Sequence, residues 1–107
     1  MALIGRLLAL MSVVWFPLAA SRGLAGNSGL ALARQICSEC HAVERVQASS
    51  PNPAAPAFET IANVPGMTAV ALAAALQSSH QTMPNVMLDA NQRTDITAYI
   101  LSLRRGN

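Results

Sequence analysis

A shortage of large side chains constrains this chain more than any other feature. After Phe16, aromatic residues occur only at Phe58 and Tyr99, and the single tryptophan, Trp15, lies near the N-terminus. From residue 26 onward, fifteen positions are alanine. The 107 residues allow one domain. A domain this small usually needs a staple, because its surface is large relative to its core. Charged residues make up only 11% of the chain and hydrophobic residues 52%, which argues against a disordered solvating segment. A net charge of +2, carried by scattered basic residues, gives no footprint for nucleic acid.

Residues 1–25 read as a removable address. A short basic start ending at Arg6 is followed by an uncharged stretch from Leu7 to Ser21 and a small-residue exit, the pattern of a secretory signal peptide. Small-x-small sites place cleavage after Ser21 or Ala25. The apolar run is shorter than the roughly 20 residues that span a bilayer, and Pro17 interrupts it, so an uncleaved anchor is the weaker reading. The domain is then 26–107. It balances Arg34, Arg45, Arg93, Arg104 and Arg105 against Glu39, Glu44, Glu59, Asp89 and Asp95, with no lysine and no charge run.

The domain reads as all-α. Asn27 or Ser28 is positioned to cap a helix running to about Cys40, with Gly29, Leu32, Ala33 and Ile36 on one face. Pro51, Pro53 and Pro56 make residues 47–56 a loop. Residues 58–62 suit one helical turn. Thr68 caps an alanine-rich helix from Ala69 to Leu76, where propensity is highest. Asp89 and Gln92 have capping-box spacing before a last helix whose stripe is Ile96, Tyr99, Ile100 and Leu103. Arg104 and Arg105 fall where positive charge suits that helix's final carbonyls.

The string Cys37-Ser38-Glu39-Cys40-His41 carries the chemistry. Cys-x-x-Cys-His is a c-type haem attachment signal. Residues three apart share a helical face, so both sulfurs reach one porphyrin edge, and His41 follows as the proximal iron ligand. A structural zinc site wants about four N or S ligands, and the domain offers two cysteines and two histidines. A thioredoxin-like pair wants a strand, and a plain disulfide leaves the adjacent histidine without a role. For the sixth ligand the candidates are Met67, Met83, Met87 and His80. Met87, beside Val86 and Leu88, reads as a core residue. Met83 is preferred, because Pro84 biases it towards an extended backbone that can hold a thioether in place. His80 is its main rival.

With these residues in place the chain resembles the small exported bacterial c-type cytochromes of class I, over essentially all of residues 27–105. The resemblance rests on Gly29-x-x-Leu32 leading into the attachment motif, the proline-rich loop, Thr82-Met83-Pro84-Asn85, and Asp95-Ile96-Thr97-Ala98-Tyr99-Ile100. It implies three main helices and loops wrapped around one covalently bound haem c, with Gly29 and Tyr99 meeting where the terminal helices cross. It also implies a proline carbonyl that holds the haem histidine; Pro56 fits best, because Phe58 follows it, with Pro51 and Pro53 as alternatives. Leu32, Ile36, Phe58, Ile61, Leu72, Leu76, Val86, Tyr99 and Leu103 are the expected apolar walls. The implied function is periplasmic electron transfer with His41 and Met83 as axial ligands, the iron cycling between Fe(II) and Fe(III) without making or breaking bonds. The implied partners are a redox protein donor and acceptor, such as a dehydrogenase or terminal oxidase, and the free protein is expected to be a monomer. The alternatives are a haem subunit fixed within an exported dehydrogenase or oxidase complex, and a haem enzyme or sensor with an open sixth site. The tryptophan and lysine ring of mitochondrial relatives are absent.

Overall fold

The computed structural model describes residues 22–78 and 82–106. The proposed signal segment therefore lies almost entirely outside the described residues, as does His80. Among the described residues four helices follow in chain order: α1 (Arg22–Ile36), α2 (Phe58–Ala62), α3 (Ala69–Gln77) and α4 (Ala90–Ser102). Among the described residues there is no strand. Helices α1, α2 and α3 each pack on α4, and α1 makes the most extensive contact with it.

Local chemistry sets the helix ends. Thr68 Oγ1 accepts the Ala71 amide at 3.1 Å, opening α3. At α4 the capping box is complete: Asp89 accepts the Gln92 amide at 2.9 Å, and Gln92 accepts the Asp89 amide at 3.0 Å. Helix α1 departs from expectation at both ends. It already runs from Arg22, so Asn27 and Ser28 lie within it rather than at its start. It stops at Ile36, short of Cys40, because the Ala33 carbonyl accepts both the Cys37 and Ser38 amides at 2.8 and 3.0 Å. The Ser38 hydroxyl takes the Arg34 carbonyl, which a later helical amide would otherwise use. Helix α4 ends at Ser102, so Arg104 and Arg105 lie beyond it. Its terminal carbonyl is instead met by Arg45, whose guanidinium donates to Ser102 O at 2.7 Å. Arg104 reaches the carbonyls of Ala62 and Met67, tying the α2–α3 connection to the C-terminus.

The core is small. Ala33, Val43, Phe58, Ala62, Leu72, Ile96, Tyr99, Ile100 and Leu103 are buried together. At the α1–α4 crossing, a Cβ added to Gly29 would fall 2.5 Å from Tyr99 Cβ and closer still to the Asp95 carbonyl. Only glycine permits that approach. Tyr99 uses its polar tip as well: its hydroxyl donates to the Val43 carbonyl at 2.5 Å. Burial, aided by the negative charge of Glu44, raises the phenol above its ordinary value and keeps it a donor. Met87, expected inside, is 86% exposed; the irregular segment between α3 and α4 turns it outward.

Among the described residues, one buried side-chain group is unpartnered. Thr97 is buried on α4, and its hydroxyl has no hydrogen-bond partner. Removing an unsatisfied buried hydroxyl recovers its desolvation cost, so Thr97→Val is expected to stabilise the fold by about 1 kcal/mol. Chemical denaturation of the haem-loaded protein checks this; an unchanged or lower midpoint would show that the hydroxyl is satisfied in solution.

Candidate functional site

Just beyond α1 the chain turns sharply over residues 37–41. The Cys40 and His41 amides both donate to the Cys37 carbonyl, at 3.2 and 2.9 Å, so both thiols and the imidazole lie within one tight bend. The following loop is fastened to that bend: Asn52 N donates to Cys40 O at 3.0 Å, Ala42 N to Ser50 Oγ at 2.9 Å, and Phe58 N to Ala42 O at 2.9 Å. These ties return Pro56 to His41, and Nδ1 of His41 lies 2.7 Å from the Pro56 carbonyl. A carbonyl can only accept, so Nδ1 carries the proton and donates, leaving the Nε2 lone pair available. Of the three loop prolines, it is Pro56 whose carbonyl meets the ring. The His41 ring also rests against Phe58, 5.4 Å between centroids, and Phe58 lies 6.5 Å from Tyr99.

Beside this bend lies a cleft of about 390 Å³, within the range of small-molecule and cofactor sites. Cys37, Cys40, His41 and Pro56 line it, as do Ile36, Phe58, Ile61, Leu72, Leu76 and Val86, all expected there. Met83, half-buried, contributes a thioether to the same cleft. Met67 does so too, as one of two methionines in the lining. Leu32, Tyr99 and Leu103 do not line it. Leu32 and Leu103 pack in the core, and Tyr99 serves the helix crossing, while Ile100, one residue further along α4, faces the cleft. Sequence reasoning missed Asn52, Ala54, Ala55, Ala75, Thr82 and Pro84 as lining residues. Most of them stand in irregular backbone, where no period marks a buried face.

The donor set and walls fit a covalently held haem. Neither cysteine is in a disulfide, and both are half-buried beside the cleft. Burial pushes the Cys37 thiol up to about 11, so it remains a neutral thiol at neutral pH. No group of three or more His, Cys, Asp or Glu side chains gathers among the described residues, so these do not form a protein-only metal cage. The arrangement instead offers two thiols in one tight bend, an imidazole fixed through its outer nitrogen, and thioethers, around apolar walls. That is the equipment for a flat apolar macrocycle with a central iron.

Comparison with known proteins agrees. The chain is 36% identical over 86 residues to cytochrome c-552 of Bradyrhizobium diazoefficiens, an alignment covering 78% of this chain and 82% of that protein. The chain belongs to the c-type cytochromes, haem proteins that carry electrons. No family model matches it, and no solved structure matches it.

Proposed function

We propose that residues 26–107 form an exported electron carrier with a single haem, attached through Cys37 and Cys40 and ligated by His41 and Met83. The observation that carries this is the meeting of both thiols, the Pro56-anchored imidazole and the Met83 thioether on one apolar cleft. When bound, the haem supplies a one-electron Fe(II)/Fe(III) couple. The chain's own residues do the rest. Pro56 holds the Nδ1 proton of His41, which fixes the ring's tautomer and raises the basicity of Nε2. Phe58, Leu72, Leu76 and Ile100 exclude water, and Pro84 restrains the backbone of Met83. With His41 and Met83 both holding a bound iron, the pair would raise its potential and leave it no position open to a substrate, as suits a carrier rather than a haem enzyme or sensor. Residues 1–25 act as the signal peptide, and the working compartment is the periplasm, where a protein donor and a protein acceptor are met in turn. No helix among the described residues is long and apolar enough to cross a membrane.

The test is spectroscopic. Protein made with haem-attachment machinery is expected to show a thioether-to-iron charge-transfer band when oxidised, and no binding of carbon monoxide when reduced. Met83→Ala is expected to lose the band and to bind carbon monoxide readily. A band that survives Met83→Ala assigns the ligand to another methionine, with Met67 the one in the cleft. Absence of the band in the unaltered protein favours His80 or an open site.

A further inference from the structure

Charge along the chain is segregated in a way that describes the partner. From Val46 to Leu88, Glu59 is the sole Asp, Glu, Lys or Arg, and its carboxylate is engaged by the Val46 amide at 3.3 Å. This same stretch supplies Ala54, Ala55, Thr82, Pro84 and Val86 to the cleft, and no lining residue is an Asp, Glu, Lys or Arg. Ala54, Thr82 and Pro84 are exposed, and Met87, beside Val86, presents its side chain to solvent. The cations lie elsewhere, and four of the arginines are turned onto their own fold. Arg34 pairs with Glu44 at 2.5 Å, Arg45 donates to Ser102 O, Arg93 to Leu88 O at 3.1 Å, and Arg104 to Ala62 O and Met67 O.

We propose that the mouth of the cleft, formed by Ala54, Ala55, Thr82, Pro84 and Val86 with Met87 beside them, is an uncharged docking face for a redox protein whose own contact face is apolar and uncharged. The inference rests on the electron-carrier reading and adds the chemistry of the partner. A charged side chain brought against this rim is stripped of water and finds no counter-charge, which penalises partners that dock through rings of lysine or carboxylate. An apolar face loses nothing of that kind and gains by the area it removes from water. Such an encounter is held by short-range contact, so its rate responds little to ionic strength, whereas steered association falls steeply with salt.

The experiment uses the haem-loaded protein with a second copy of itself as the probe, since each copy carries such a face. Electron self-exchange between ferrous and ferric protein, read from NMR line widths, is expected to change by less than about twofold between about 0.01 and 0.5 M salt. Ala54→Lys places like charges on both rims; it is expected to slow exchange severalfold at low salt, with recovery as salt is added. Met87→Lys is expected to do the same from a second position, while Ala98→Lys, exposed on α4 outside the cleft, changes it less. A readout independent of electron transfer is the broadening of the rim amides in the reduced protein by a cationic and an anionic nitroxide. The two are expected to act alike on the unaltered rim, with the anionic probe favoured after Ala54→Lys. Steep salt dependence of the unaltered protein, a strong preference of its rim for one nitroxide, or an Ala54→Lys effect no larger than that of Ala98→Lys overturns the proposal. Failure to attach haem or to cycle reversibly overturns the electron-carrier reading instead.

Discussion

Gly29→Ala is expected to be among the most damaging single substitutions in the fold. The added methyl meets Tyr99 Cβ and the Asp95 carbonyl, both parts of α4 that cannot rotate aside as a flexible side-chain tip would. The helices must separate, and the cost is expected at or above the upper end of ordinary overpacking, about 3 kcal/mol. For a domain of this size that is a large share of total stability and lowers the melting temperature by roughly 10 °C or more. The disturbance is also expected to travel. Tyr99 is bonded to Val43 and lies against Phe58, which lies against His41, so the haem-region spectrum is expected to soften before global unfolding. Thermal melts followed both by far-ultraviolet dichroism and in the haem visible region check both parts. A variant that melts with the unaltered protein shows that the helices cross less closely in solution.

Loss of covalent attachment is the second large effect. Cys37→Ala and Cys40→Ala are each expected to reduce the yield of protein whose intact mass includes haem, and the double variant is expected to abolish it. Apoprotein is expected to be largely unfolded. Apart from Phe58 and Tyr99 the core is aliphatic, and alanines hold several of the positions around it, so little apolar area is left to offset chain entropy once the central group is missing. Circular dichroism of the double variant checks this, and a compact apoprotein that melts cooperatively would refute it.

Much of this architecture was legible because it is written in local spacing. Cys37, Cys40 and His41 announce themselves by separation alone, and so do Thr68 before its alanine-rich helix and the Asp89–Gln92 box. The Gly29–Tyr99 crossing was legible through family resemblance, and Pro56 could be preferred among three prolines because Phe58 follows it. What escaped depends on long-range geometry. Arg45 caps α4 from far away in sequence, and no local rule links it to Ser102. Tyr99 and Ile100 sit on one apolar stripe, and only the rotation of α4 against α1 decides which faces the cleft. Met87 stands between two apolar neighbours in a segment with no helical period, so its outward turn left no trace in the pattern. The end of α1 at Ile36 hangs on one serine hydroxyl competing for a carbonyl, a contest that propensity does not resolve.

Because α1, α2 and α3 each rest on α4, that helix acts as the keystone of the fold. Ile96, Tyr99, Ile100 and Leu103, which bind the other helices together, come after all three of them in the chain. Closing the α1–α4 contact requires bringing together two segments far apart in sequence, a slow and entropically costly loop closure. Since the apoprotein is expected to stay largely unfolded, that closure is expected to follow haem attachment at Cys37 and Cys40 rather than to precede it.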